Sequence, residues 1–336
     1  MPESIATQGM TMHSIKVLLY AAIMAVVFLP MANVRAQDYP IRPVRLVTLY
    51  AAGSGSDDTA RFVAAKLSEL LKQTVIVDNK GGAGGLIATQ EVLRAQPPGY
   101  SLLLGAPGVL TNVFVYRNPQ YKWEDLTVLG VTGLTNYAMI IHNSVPAKNI
   151  PEFVAYAKAN PGKLNYGSLG PAGISTILVE RLKEAAGIDL VQIPFKGGAP
   201  LATALLSGDI HVYFPTTGVG RARIQNAQIV ALAVTGQQRS RTFPDLPTFK
   251  ELGYPALAGL TYWDAVFTPS VTPRPIIQRL QAVMVQMNAL PEVKTRLEKA
   301  EKEFWTGTLE EFNAFARHDG ETLAADFRRL KIPVLD

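Results

Sequence analysis

The sequence predicts a two-domain α/β protein with largely parallel sheets. Three observations carry that expectation. Short β-type runs alternate with amphipathic helical patterns along the chain. At 336 residues the chain is too long for one typical core. No Ser/Gly-rich linker separates the halves. Two domains without a tether are joined through their strands, which is hinge geometry.

The chain opens on an address label. His13 and Lys16 precede residues 17–29 (VLLYAAIMAVVFL), an uncharged apolar run closed by Pro30. Val34-Arg35-Ala36 then places modest side chains at a cleavage position before Gln37. This is the three-part pattern of a secretory signal over 1–36, cleaved near Ala36. At 1.5 Å per residue the run covers about 20 Å, short of the ~30 Å needed to span a bilayer. The remaining chain is expected to be exported to the periplasm.

Strands are expected at 44–50, 75–78, 101–104, 128–131, 137–142, 164–168, 190–194, 210–214 and 229–234. A helix is expected at 57–71, with Ala60, Val63, Ala64, Leu67, Leu70 and Leu71 on one stripe. Further helices are expected up to about residue 95, at 151–160 behind Pro151, at 273–289 and at 309–330.

Composition narrows the function. Charged residues make up 18% and hydrophobic ones 48%, the reverse of a disordered chain. Cys is 0, which excludes disulfide scaffolds, thiolate metal sites and cysteine nucleophiles. Removing Lys16, Arg35 and Glu3 with the signal leaves 30 of 32 basic and 26 of 27 acidic residues, a net charge of +4. Without a basic cluster, nucleic acid is not an expected partner. No cofactor fingerprint is complete. Gly53-Ser54-Gly55 reaches Asp58 and Gly82-Ala83-Gly84 reaches Ile87 where a third glycine belongs, and Gly162-Lys163-Leu164 is no phosphate loop. Neither an enzyme activity nor a cofactor or metal is expected.

Two loops carry the candidate chemistry. Tyr50-Ala51-Ala52-Gly53-Ser54-Gly55-Ser56-Asp57 links the first strand to a helix. Ser168-Leu169-Gly170-Pro171-Ala172-Gly173-Ile174-Ser175 does the same later, before a stripe of Ile174, Ile177, Leu178, Leu182 and Ala185. Small residues admit a ligand to the backbone. A helix start offers free N–H donors and a dipole worth about 0.3–1 kcal/mol to an anion. Micromolar binding needs about −8 kcal/mol, and charge-assisted hydrogen bonds contribute roughly 1.5–3 kcal/mol each, so about four or five suffice. Alternatively both loops are ordinary strand-to-helix turns, where Gly and Ser are common for conformational reasons alone.

The chain beyond residue 36 resembles the Bug-type extracytoplasmic solute receptors of tripartite tricarboxylate transporters. The resemblance rests on Tyr39-Pro40-Ile41-Arg42-Pro43-Val44-Arg45-Leu46-Val47, on Val75-Ile76-Val77-Asp78-Asn79-Lys80 with Gly82-Ala83-Gly84-Gly85, and on Pro98-Gly99-Tyr100-Ser101-Leu102-Leu103-Leu104-Gly105. Asn160-Pro161-Gly162-Lys163-Leu164-Asn165-Tyr166, Pro194-Phe195-Lys196-Gly197, Ala231-Leu232-Ala233-Val234-Thr235 and Pro244-Asp245-Leu246-Pro247-Thr248 complete it. The joint order is specific where no single piece is.

The resemblance implies a two-domain periplasmic-binding-protein fold of the Venus-flytrap, type II-like kind, with the ligand cleft between domains. One domain is expected over 37–136 plus 262–336, the other over 137–261. The resemblance implies a monomer that captures a small di-, tri- or aromatic carboxylate and delivers it to a membrane permease. It makes the two loops pincers. Tyr50, Gly53, Ser54, Gly55, Ser56 and Asp57 carry over from the first, and Ser168, Gly170, Ala172, Gly173 and Ile174 from the second. The chain departs from the family at Gly173, often Thr, at Thr176, often His, and at Pro215, often Asp. Thr216 and Thr217 are expected to supply hydroxyls in place of that Asp. Asp264 stands where Gly is common, and Trp263 is a candidate pocket wall. A receptor feeding a sensor kinase, or an exported hydrolase using Ser168 or Ser54, are the rival readings.

Overall fold

The computed structural model describes residues 39–332 and 335, apart from positions 51, 53, 54, 171, 172, 196, 197, 225, 226 and 242. The signal read over 1–36 lies outside them. Met1–Tyr39 and Pro40–Asp336 are separate units, and the second holds both sheets.

The first sheet grows from β1 (Val44–Thr48), whose Val44, Leu46 and Val47 are inaccessible to water. β2 (Val75–Asn79) and β3 (Ser101–Gly105) flank it in parallel. β10 (Thr261–Pro269) then joins β3 to β4 (Leu126–Asn136), antiparallel to both, giving the order β2-β1-β3-β10-β4. Each parallel strand leads towards a helix at its carboxyl end: α1 (Gly55–Leu71), α2 (Leu86–Arg94) and α3 (Gly108–Val115).

The second sheet has the order β7-β6-β8-β5-β9. β6 (Asn165–Ser168) runs parallel to β7 (Val191–Pro194) and β8 (Val212–Tyr213). β5 (Ala138–His142) is antiparallel to β8 and to β9 (Ile229–Val234). Its helices are α4 (Ile150–Ala159), α5 (Ile174–Ala186), α6 (Gly198–Ser207) and α7 (Thr217–Ile224). Both sheets are therefore mixed, not largely parallel as the alternation implied. The antiparallel pairs arise because β4 leaves the first sheet for β5, and β10 returns to it in the opposite sense.

Those two crossings are stitched together by one side chain. Thr235 is fully buried. Tyr137 N donates to its Oγ1 over 3.0 Å, that hydroxyl donates to Leu260 O at 3.0 Å, and Thr235 N donates to Tyr137 O at 2.9 Å. A buried backbone stretch without sheet partners thus keeps its hydrogen bonds.

The chain closes with α8 (Arg274–Asn288), α9 (Pro291–Lys299) and α10 (Leu309–Arg329). A capping box of Thr308 and Glu311 starts α10. This helix serves both cores: Phe312 and Ala316 pack with Trp263, while Leu323 and Phe327 pack with Phe153 and Leu178. Gly320 permits the approach of α3, since a Cβ there would stand 2.5 Å from Leu110 Cδ2. At its end Asp326 forms a buried ion pair with Arg181 of α5, whose Nη1 also donates to Ala256 O.

Asp319 of α10 is 9% exposed. Burial pushes its carboxyl up to about 7, against a smaller downward pull from Arg181. The folded chain therefore keeps a proton that the unfolded chain releases near pH 4, so stability falls as pH rises through that window and is lowest above it. Asp319→Asn removes the loss. Its melting temperature is expected to exceed the parent's at pH 8, by up to about 4 kcal/mol in stability, and to converge on it near pH 4. An offset that does not change with pH would contradict the assignment.

Candidate functional site

The two loops lie at carboxyl ends of strands in different sheets, β1 in the first and β6 in the second. Gly53 and Ser54 of the first loop and Ala172 of the second lie outside the described residues. Gly55 opens α1, and Ser56 and Asp57 stand in its first turn. Asp57 is held structurally: its Oδ1 accepts from Asn79 Nδ2 at 3.0 Å and its Oδ2 pairs with Arg61 Nε at 3.0 Å. The same Asn79 amide donates to Tyr50 O at 3.1 Å, fastening the start of the loop to β2.

Tyr50 and Ser56 meet side chains from the start of β10. Ser56 Oγ is 3.3 Å from Tyr262 Oη, and Tyr262 Oη donates to Asp264 Oδ1 at 3.0 Å. Asp264, which stands where Gly is common in the family it resembles, is 2% exposed and ion-paired with Lys302. Burial, and after it the Asp264 carboxylate, pushes the Tyr50 phenol up to about 12. The same two causes in the same order hold Tyr262 well above the usual phenol range. Burial likewise raises Tyr137. All three phenols therefore stay protonated and neutral at any ordinary pH.

The second loop is braced from β7. Ser168 is fully buried, and its Oγ accepts from Gln192 Nε2 at 2.9 Å. The same amide reaches Thr176 Oγ1 at 3.2 Å, and Thr176 donates to Gly170 O at 2.8 Å. Gly170 takes φ 123°, and a Cβ there would meet nothing within 4 Å. Gly173 is the residue before α5, with no side-chain cap, and Ile174 begins the helix. The amides of Ile174 and Ser175 have no acceptor inside the helix.

Ile174 and Tyr262 pack against the same hydrophobic cluster, which contains Tyr137 and Phe214. Since Tyr262 also lies 3.3 Å from Ser56, one core cluster backs the ends of both loops. Two other residues fall elsewhere. Trp263 is fully buried in the first core, edge-on to Trp123 and Phe312, with ring centroids at 6.4 and 5.4 Å. Successive side chains of a strand alternate, so with Tyr262 and Asp264 at the loop, Trp263 faces the core and forms no pocket wall. Thr217 is 2% exposed and its hydroxyl lies 2.8 Å from Thr135 Oγ1, so it pins α7 rather than offering a free hydroxyl. Thr216 is half-buried, in a bridge with Tyr137.

Among the described residues, the Ser168 hydroxyl of the hydrolase alternative is bonded to an amide rather than to a base. Gln192 occupies the Ser168 hydroxyl, His142 Nδ1 lies against Ser144 Oγ at 2.8 Å, and His211 Nδ1 accepts from Asn165 N at 3.0 Å. Cavities of about 320 and 520 Å³ lie beside Gln90 and Val271 and beside Arg221 and Phe243, and include no residue of either loop.

Residues 59–325 match the family model described as the tripartite tricarboxylate transporter family receptor. A UPF0065 protein of Bordetella pertussis is 30% identical over 285 residues, covering 84% of this chain and 88% of that protein. Among solved structures, the periplasmic binding protein BugD superposes with a TM-score of 0.79 at 33% identity, over 88% of this chain and 99% of that one. Rpa4515 of R. palustris, solved with adipate, superposes with a TM-score of 0.81 at 26% identity and the same coverage.

The Asp264–Lys302 pair generates a test. Lys302→Met leaves a carboxylate buried without its cation and is expected to cost about 3–5 kcal/mol in denaturant unfolding. Adding Asp264→Asn should restore more than half of that. Equal losses in the single and double variants would show that the pair is not coupled.

Proposed function

The chain belongs to the tripartite tricarboxylate transporter receptor family, whose members are solute-binding proteins rather than enzymes, and from that premise we propose that it captures a small organic carboxylate in the periplasm and presents it to a membrane permease of that transporter class. A di-, tri- or aromatic carboxylate fits the reading, and the capture involves no bond making or breaking. The supporting observation is that two helix starts, α1 and α5, follow the carboxyl ends of strands in two different sheets and are backed by one shared core cluster. Each start supplies donors that the helix itself leaves unsatisfied. A carboxylate has acceptor sites for both at once.

Residues 37–136 plus 262–336 form one closing body and 137–261 the other in this reading. The crossings at Tyr137 and between Val234 and Thr261 are the hinge. A ligand that touches both loops favours the closed arrangement by its extra contacts there. The adipate of Rpa4515 supports the ligand class. Export follows from the signal pattern over 1–36, and a monomer suffices, because one chain supplies both loops.

Gly173 offers a clean probe. Its φ is −70°, an ordinary value, and among the described residues the nearest atom to a Cβ there would be Gly170 O, at 3.4 Å. Gly173→Val therefore adds bulk beside the α5 amides without straining the chain. A panel of mono-, di-, tri- and aromatic carboxylates, screened by thermal shift and followed by titration calorimetry, should find a ligand. Saturation at 100 times Kd is expected to stabilise the protein by about 2.7 kcal/mol. Gly173→Val should weaken that ligand about tenfold or more while leaving the ligand-free melting temperature in place. Undiminished affinity in the variant would exclude the α5 start from the site.

A further inference from the structure

The side chains behind the first loop give its hydrogen bonds a direction. Asp264 is ion-paired with Lys302 and 2% exposed, so its carboxylate is ionised and only accepts. Tyr262 Oη, 3.0 Å away, has one hydrogen and must donate it there. A bond to an ionised acceptor is about twice as strong as one between neutral groups, so a neutral phenol such as Tyr50 does not compete for that hydrogen. Ser56 Oγ lies 3.3 Å from the same Tyr262 oxygen, which now has only lone pairs to offer. Ser56 is therefore the donor in that contact. A serine hydroxyl also has a single hydrogen, so what Ser56 turns to anything else is an acceptor.

This polarity is opposite to that of its surroundings. The first-turn amides of α1 present donors, which suit a carboxylate. Ser56, in the same turn and only half-buried, presents lone pairs, which suit a ligand O–H or N–H. A carboxylate alone leaves those lone pairs unmatched. An ammonium group would match them but needs a counter-charge to leave water. The nearby carboxylates are committed, Asp264 to Lys302 and Asp57 to Arg61 and Asn79. A neutral hydroxyl makes no such demand.

We propose that Ser56, oriented through Tyr262, Asp264 and Lys302, makes this receptor selective for hydroxy acids, accepting a hydrogen bond from a ligand hydroxyl beside the captured carboxylate. The inference rests on the carboxylate-capture reading and adds a substrate class to it. Lys302 and Asp264 act at a distance from the ligand. They fix the Tyr262 hydrogen and, through it, the Ser56 hydrogen.

Matched acids test it by titration calorimetry on the purified protein: lactate against propionate, malate against succinate, and mandelate against phenylacetate, each with its amino counterpart, alanine, aspartate or phenylglycine. For every carbon frame that binds, the hydroxy acid is expected to bind about tenfold tighter than the deoxy acid, the worth of one added hydrogen bond, and tighter than the amino acid. Ser56→Ala should bring the two Kd values of a pair within about threefold of each other. Tyr262→Phe, which frees the Ser56 hydrogen to rotate, should shrink the same ratio, with melting temperatures confirming that both variants fold. Equal binding within a pair, a preference that survives Ser56→Ala, or tighter binding of the amino acid each overturn the hydroxyl assignment and leave carboxylate capture standing. Binding by none of these acids, nor by any member of the wider carboxylate panel, overturns carboxylate capture itself, and the hydroxyl assignment with it.

Discussion

Backbone amides at the start of a helix have no partner inside that helix, and the capture reading turns two such starts, those of α1 and α5, towards one ligand. The starts of α4 and α10 solve the same problem internally, whereas α2, α3, α8 and α9, like α5, have no side-chain cap. Asn149 accepts from Glu152 N at the start of α4, and Thr308 and Glu311 close the start of α10. At α5 the preceding residue is Gly173, with no side-chain cap. The donors there are left for water or for a guest. What the molecule builds around α1 and α5 is mainly bracing: Asn79 and Arg61 on Asp57, Tyr262 on Ser56, and Gln192 and Thr176 behind Ser168 and Gly170. A braced loop loses little freedom when a ligand arrives, so more of each hydrogen bond appears as affinity.

In the capture reading movement comes from elsewhere, at the crossing points. Few residues connect the sheets there. Tyr137 and Thr235 exchange three of the hydrogen bonds that hold the two passages side by side, counting the one to Leu260. A short, fully bonded crossing bends without exposing unpaired backbone. The helix α10 works against free motion, because it contributes Phe312 to one core and Phe327 to the other. The buried Arg181–Asp326 pair ties α5 to the end of α10. In the capture reading the second loop moves with that end of the strap, and Gly320 is where α10 would give.

Local pattern made part of this legible. The stripe of α1 is real, with Ala60, Val63, Ala64, Leu67 and Leu71 buried. In α5 the pattern shifts by one, since Ala186 is buried where Ala185 was expected. Helix α3 is not legible in the sequence, because Val109, Thr111, Val113, Phe114 and Val115 favour strands; in the structure it packs closely against α10 at Gly320. The site was half visible. Glycines and serines between strand and helix mark the loops, but the partners that orient them lie far along the chain: 206 residues separate Ser56 from Tyr262, and 38 separate Asp264 from Lys302. No periodicity records such a contact. Strand alternation did carry one usable signal. It puts Tyr262 and Asp264 on the face opposite Trp263, so the aromatic that drew attention is the one that faces the core.

The absence of an arginine from either loop follows from what a receptor must do after binding. A guanidinium 4 Å from a carboxylate near a protein surface is worth about 4 kcal/mol, and every 1.4 kcal/mol is a factor of ten. One such pair would slow release by about a thousandfold if the association rate were unchanged. Here the charged groups around the first loop neutralise one another, Lys302 with Asp264 and Arg61 with Asp57. In the capture reading the ligand meets amides, hydroxyls and protonated phenols. Their bonds are individually weak and strongly directional, so shape and hydrogen-bond polarity select the guest while its departure stays fast. Holding the phenols protonated is part of that arrangement: a tyrosinate beside the captured acid would repel it, and burial next to Asp264 keeps Tyr50 and Tyr262 from ever becoming one.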